Sequence, residues 1–194
     1  MSDIHVDTPL EEAELGLAQK LAGLRDQPIA EALHPVSELA DQPPMLGIAA
    51  AGLVAGLLLR QPRLQSASAR ALLSVALATG AKHVIKHTVT RSRPHRLLDQ
   101  GEYLRERGAS ENKGQQSFPS GHTADAVAFA RAVSRVFPQA AIPAALFATL
   151  AGVAQPIRAA HYPSDVAAGG TIGFLSELLV DRLFARFATR AAPG

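Results

Sequence analysis

The 194-residue chain contains no cysteine. Disulfides, thiol catalysis and cysteine-based zinc sites are excluded, and oxidising and reducing compartments stay equally open. A dominant charge is also lacking: 19 Lys and Arg stand against 17 Asp and Glu, a formal net charge of +2. That is too weak a basic field to mark a nucleic-acid binder. Internal repeats, low-complexity tracts and strand-type alternation long enough to build a sheet are absent as well. The opening stretch, MSDIHVDTPLEEAELGLAQK, is acidic and lacks the basic start and apolar core of a secretory signal peptide. The length suits one domain or one compact bundle.

What the chain does have is a change of character after a polar start. Residues 1–44 are mixed in composition, with Leu10, Leu15, Leu17, Leu21 and Leu24 roughly on one helical face. This predicts an N-terminal amphipathic helical segment, with a second short helix near Ile29–Leu39. It is either a surface helix or one lying at a membrane interface. Two uncharged segments follow, Met45–Leu59 after Pro43-Pro44 and Gln139–Ile157. A bilayer core takes about 20 helical residues, so the second is long enough and the first slightly short. Ala71–Ile85, Thr123–Phe137 and Val166–Phe184 share the same small-residue texture. Charges interrupt them at Lys82, at Asp125 and Arg131, and at Glu177 and Asp181. Abundant Ala and Gly let helices approach closely, as in membrane bundles. The expectation is an all-α membrane bundle of about five transmembrane helices over residues 45–190. A soluble Ala-rich bundle is the competing reading.

Three polar islands lie at segment ends: KHTVTRSRP (Lys86–Pro94), PSGH (Pro119–His122) and RAAHYPSD (Arg158–Asp165). If the segments cross back and forth, simple alternation puts all three on one side. Lys86 and Arg93, with Arg91 and Arg158 as further candidates, can then surround one anion. Phosphoryl transfer relies mostly on positioning and charge stabilisation, and Arg offers forked contacts to phosphate oxygens. Ser120 and Gly121 precede a helix N-terminus, where free backbone N–H groups favour anions. His161 and Asp165 are four apart with Pro163 between them, so the carboxylate can fold back to fix the imidazole tautomer. That leaves His161 as nucleophile or base and His122 as general acid, giving a two-step hydrolysis without a metal or other cofactor.

These motifs resemble the type 2 phosphatidic acid phosphatase (PAP2) family, related to vanadium haloperoxidases and bacterial acid phosphatases. Lys86 with Arg93-Pro94 fits the first motif, PSGH the second, and HYPSD the His-x-x-x-Asp end of the third. The resemblance covers roughly Ala71–Phe184. It implies an all-helical core and a metal-independent phosphomonoesterase or diphosphatase acting through a phosphohistidine. By position, Lys86, Arg93, Ser120 and Gly121 would hold phosphate, His161 would be the nucleophile, His122 the acid and Asp165 the partner of His161. The family's third motif usually opens with Ser-Arg, where this chain has Ala154 and Gln155. Arg158, one helical turn away, is expected to take over the missing phosphate contact.

His83 and His87, four apart, suggest zinc only weakly, since no third ligand stands at matching spacing. The basic residues Lys82, Lys86, Arg91, Arg93 and Arg96 have no interleaved aromatics for stacking on single strands, so no nucleic-acid partner is expected. Arg60, Arg63, Arg70, Arg131, Arg135, Arg182, Arg186 and Arg190 cluster at the opposite helix ends. Such clusters stay cytoplasmic. The expected setting is a bacterial-type inner (cytoplasmic) membrane, with the site on the extracytoplasmic side and membrane lipids around the bundle. The expected substrate is a lipid phosphate, on a polyprenyl or glycerolipid carrier. A vanadate-dependent peroxidase of the same fold, and a phosphate- or lipid-binding membrane protein with an impaired site, are the alternatives. The oligomeric state is left open.

Overall fold

The computed structural model describes residues 8–191. Residues 1–7 of the amphipathic segment and the side chains of Leu10 and Arg190 lie outside the described residues. The chain forms helices α1 (Pro9–Ala22), α2 (Pro28–Leu39), α3 (Gln42–Leu58), α4 (Pro62–Lys86), α5 (Pro94–Gln100), α6 (Gly121–Val136), α7 (Ala141–Ile157) and α8 (Pro163–Ala191). Two short strands, β1 (Val89–Arg91) and β2 (Arg105–Arg107), pair antiparallel between α4 and α6.

Local chemistry sets the helix starts. Helices α1, α2, α4, α5 and α8 open on proline, whose fixed φ and missing N–H cost nothing at a first helical position. Thr8 caps α1 by accepting from Glu11 N, and Asp41 accepts from Gln42 N at the start of α3. Helix α5 stops at Gly101, whose φ of 68° is left-handed.

Helix α6 is central, packed by α4, α7 and α8. Its buried face is almost all alanine: Ala124, Ala126, Ala128, Ala130 and Ala132. Helix α8 approaches closely enough that a Cβ on Gly169 or Gly173 would strike the carbonyl oxygens of Ser120 and Ala124. Small residues on both helices thus set the spacing between the start of α6 and the start of α8, which carry site residues. At the far end, buried Glu177 accepts from Arg131 and Arg135, while Asp181 pairs with Arg70. This network ties α4, α6 and α8 together. It also neutralises part of the arginine cluster that the sequence offers as a cytoplasmic marker.

The five apolar segments all become helices, but they differ as candidate spans. Among the described residues, only Pro138–Ile157 is long and apolar enough to cross a membrane, with a mean hydropathy of 1.6. Helices α2 and α3 pass together as a pair bent by 52°. Helices α4 and α8 are long enough, but Lys82, Glu177 and Asp181 interrupt them, while α6 has 16 residues and carries Asp125 and Arg131. The N-terminal segment does not stand apart. Leu15 and Ala18 of α1 are buried with Leu97 and Tyr162, whereas Leu17 and Leu24 face outward. The polar stretch between α4 and α6 folds into the β ribbon, α5 and a short turn.

A matched pair of substitutions tests the α6–α8 contact. Gly173→Ala is expected to cost about 1–3 kcal/mol by overpacking. Gly47→Ala on α3, where nothing lies within 4 Å of the new methyl, should be neutral or stabilising. Thermal unfolding of the two purified variants reads the contrast.

Candidate active site

The ends of α4 and α7 and the starts of α6 and α8 meet on one face and together carry the three polar islands, the third of which joins α7 to α8. Ser120 is the N-cap of α6 and is fully buried, its Oγ 2.9 Å from Thr123 Oγ1. Its backbone N–H donates to the Asp165 carbonyl at 3.0 Å, which fixes the start of α6 on the start of α8. Gly121 follows, with the Lys82 ammonium 3.3 Å from where a Cβ would sit.

His161 lies in the turn between α7 and α8 and is 1% exposed. The chain reverses there through Ala159, whose φ of 53° is unusual for a residue with a Cβ. The His95 N–H donating to the Ala159 carbonyl at 3.0 Å holds that turn. His161 Nδ1 sits 2.6 Å from the Ser117 carbonyl. A carbonyl has no proton to give, so Nδ1 carries the hydrogen and Nε2 keeps a free lone pair. The sequence assigns this orienting role to Asp165. The structure instead places Asp165 Oδ2 3.8 Å from Nδ1, an electrostatic contact rather than a hydrogen bond.

Asp165 is instead a hub. Its Oδ1 accepts from Arg91 at 2.8 Å, and its Oδ2 accepts from Ser117 Oγ at 2.6 Å and from Tyr162 N at 2.8 Å. Burial works to raise its pKa, but the neighbouring His161, Arg91 and Ser117 outweigh it and hold the carboxyl below its ordinary value. Burial is the main cause that lowers the His161 pKa, and the Arg93 and Lys86 charges add to it. The free imidazole is therefore kept neutral.

The cations divide into two groups. Arg91 is engaged: it is 3% exposed, bridges Asp165 and Glu14, and lies 4.0 Å over the Tyr162 ring. Its place as a candidate phosphate ligand is taken by carboxylates. Lys86 and Arg93 are different, since neither side chain has a hydrogen-bond or ion-pair partner among the described residues. Arg93 Nε is buried without a partner. Burial lowers the Lys86 pKa to about 8, with help from the Arg93 and Lys82 charges, and burial lowers that of Arg93 too. Two partly buried cations without hydrogen-bond partners, beside a neutral imidazole, suit the binding of an anion.

His122, second residue of α6, is the other imidazole. Burial lowers its pKa to about 4, against the raising effect of Asp41, with His161, Arg158 and Lys82 adding their repulsion. Arg158 is less committed: its guanidinium lies 3.6 Å from Glu38 of α2 and is partly exposed. Gln155 turns away from the site, donating to Ser37 Oγ and the Ala151 carbonyl. His83 and His87 touch through their Nε2 atoms at 3.1 Å. Among the described residues no group of three or more His, Asp or Glu is placed to hold a metal ion.

Sequence reasoning missed three participants. The Ser117 carbonyl is a backbone group and leaves no side-chain signature. Arg91 is legible as basic but not as the partner of Asp165. Glu14 lies 77 positions from Arg91, and nothing in either stretch links them.

The profile of the PAP2 superfamily matches residues 67–188. A Lipid A 1-phosphatase from Rhizobium johnstonii is 34% identical over 104 residues, which cover 54% of this chain and 42% of that protein. This chain thus spans less than half the length of that relative. A transmembrane PAP2 type phosphatidylglycerolphosphate phosphatase from Bacillus subtilis superposes with a TM-score of 0.69 at 20% identity, covering 94% of this chain and 89% of that one. LpxE from Aquifex aeolicus gives a TM-score of 0.61 at 20% identity, over 87% of this chain and 94% of that one.

The Lys86 environment yields a pH test. Sulfate, a tetrahedral dianion that does not itself titrate in this range, should bind more weakly as the pH rises through about 8, because Lys86 loses its charge there. Lys86→Arg should carry tight binding to higher pH. Calorimetric titration at several pH values checks both.

Proposed function

The chain belongs to the PAP2 superfamily, and from that premise we propose that it is an integral-membrane, metal-independent phosphatase. Its substrate is a lipid phosphate or diphosphate, and its intermediate a phosphohistidine at His161. The observation that carries this reading is the pair of unpartnered, part-buried cations, Lys86 and Arg93, beside the neutral His161 imidazole. Phosphoryl oxygens supply the charge that those cations lack.

The steps follow from the tautomer. The lone pair on His161 Nε2 attacks phosphorus, and the bond to the leaving oxygen breaks with its electron pair. His122 gives that oxygen a proton. In the free protein His122 is neutral, so it gains this proton when the anionic substrate binds beside it. The Ser117 carbonyl and the Asp165 carboxylate then stabilise the positive phosphoimidazole. In the second step neutral His122 takes a proton from water, the water attacks phosphorus, and the P–N bond breaks to release phosphate. Lys86 and Arg93 hold the phosphoryl oxygens in both steps, with the backbone at Ser120 and Gly121 as further donors. Arg158 contributes a weaker contact from the rim, in place of the arginine that the family carries where this chain has Gln155.

The membrane reading is supported by the outward faces. Ile142, Leu146, Leu150 and Val153 on α7, Val54, Leu57 and Leu58 on α3, and Leu175, Leu179 and Leu183 on α8 are all exposed. Apolar surface this extensive suits lipid contact. Five spans over 45–59, 71–85, 123–137, 139–157 and 166–184 leave Lys86, His122, His161 and Asp165 at the membrane rim, where a lipid headgroup lies. The site side is proposed to be extracytoplasmic, in a bacterial-type inner membrane. The names of the relatives, a phosphatase of lipid A and one of phosphatidylglycerolphosphate, favour a lipid carrier over a soluble phosphate ester.

Phosphate release from a panel of lipid phosphates in detergent, with EDTA present, tests the reading. The wild type should turn over. His161→Ala should lose activity by about 10³-fold or more, and Arg158→Ala should raise KM with a small effect on kcat. An alkaline denaturing quench during turnover should leave base-stable phosphate on the wild type that acid then releases, and none on His161→Ala.

A further inference from the structure

We infer that Glu14 of α1 is a positioning residue for the His161 nucleophile, acting through Arg91 and Asp165. The inference rests on the phosphatase reading above and adds to the site a residue that lies outside the family match at 67–188.

The links are short and continuous. Glu14 Oε2 accepts from Arg91 at 2.7 Å, and the other Arg91 terminal nitrogen donates to Asp165 Oδ1 at 2.8 Å and to Ser164 Oγ at 2.8 Å. Glu14 Oε1 accepts from the backbone N–H of Ser164, in the first turn of α8, at 2.7 Å. Asp165 in turn holds Ser117, whose carbonyl orients His161. One carboxylate from α1 thus fixes both the guanidinium that holds Asp165 and the start of the helix that bears Asp165.

Helix α1 is itself anchored to the site wall. Leu15 and Ala18 pack against Leu97 and Tyr162, and Tyr103 Oη donates to Glu11. The charges alternate along the path from Glu14 through Arg91 to Asp165. Burial works to lower the Arg91 pKa, but Asp165 and Glu14 outweigh it and raise it above its ordinary value, so the guanidinium stays charged. Without Glu14, Arg91 is neutralised by Asp165 alone. The carboxylate then has less charge to offer the phosphoimidazole, and Ser117 and His161 lose their fixed geometry. Misplacing a reacting group by about 1 Å costs on the order of 100-fold in rate.

Glu14→Gln separates this role from simple docking of α1. The amide oxygen still accepts from Ser164 N and the shape is kept, but the amide N–H group cannot pair with Arg91. In the full chain in detergent, Glu14→Gln is expected to lower kcat by about 10- to 100-fold. KM and inhibition by inorganic phosphate should stay unchanged, because Lys86 and Arg93 are untouched. The NMR resonance of the His161 Nδ1 proton should move. Glu12→Gln, at an exposed position on the same helix, should match the wild type in all three. Wild-type kcat in Glu14→Gln overturns the inference. So does a kcat loss that tracks a loss of folded protein while the His161 resonance stays in place. If the wild type itself releases no phosphate from any lipid phosphate, the phosphatase reading falls, and the resonance alone decides for or against Glu14.

Discussion

The Asp165 carboxylate is the constraint on which the rest of the site depends. It accepts from Arg91, from Ser117 and from the backbone of Tyr162, while its own carbonyl accepts from Ser120 N. Three stretches of chain, at Arg91, at Ser117–Ser120 and at Tyr162, are thereby tied to one residue. A buried carboxyl keeps its charge only when it is paired and hydrogen-bonded, so Asp165 depends on each of these partners. The consequence reaches His161 indirectly, because the hydrogen bond that sets its tautomer comes from Ser117, and Asp165 holds Ser117.

The same electrostatic logic explains which cations are available to a ligand. Arg91 is consumed by carboxylates on two sides. Lys82 is consumed by Asp125, beneath the turn at Gly121. Arg70, Arg131 and Arg135 are consumed by Glu177 and Asp181 at the far end. Lys86 and Arg93 are left without a partner of their own, and they lie beside His161. Paired charges build the scaffold, and unpaired ones mark where a ligand's charge is expected.

Much of this was legible in the sequence. The five small-residue segments became helices, and alternation brought Lys86, Arg93, His122, His161 and Asp165 to one end of the bundle. Spacing alone could not show which acceptor His161 uses. The i,i+4 relation to Asp165 is real, but the turn at Ala159 aims Nδ1 at a backbone carbonyl that no side chain announces. Arg91 and Arg93 look alike in TRSRP, and only the presence of Glu14, far away in sequence, separates a structural guanidinium from a free one. The α1 helix read as amphipathic, yet its leucines divide between the site wall and the outside, a division that depends on tertiary packing and not on period. The β ribbon escaped notice because strands of three residues are too short to show alternation.

The most direct test is a structure of the full chain with tungstate or vanadate bound. One tetrahedral anion should lie within hydrogen-bond reach of Lys86 Nζ and the Arg93 guanidinium, with His161 Nε2 aimed at its central atom and His122 on the far side. An anion held elsewhere, or His122 and His161 opening onto separate pockets, would contradict the convergence of these groups on a single phosphoryl site.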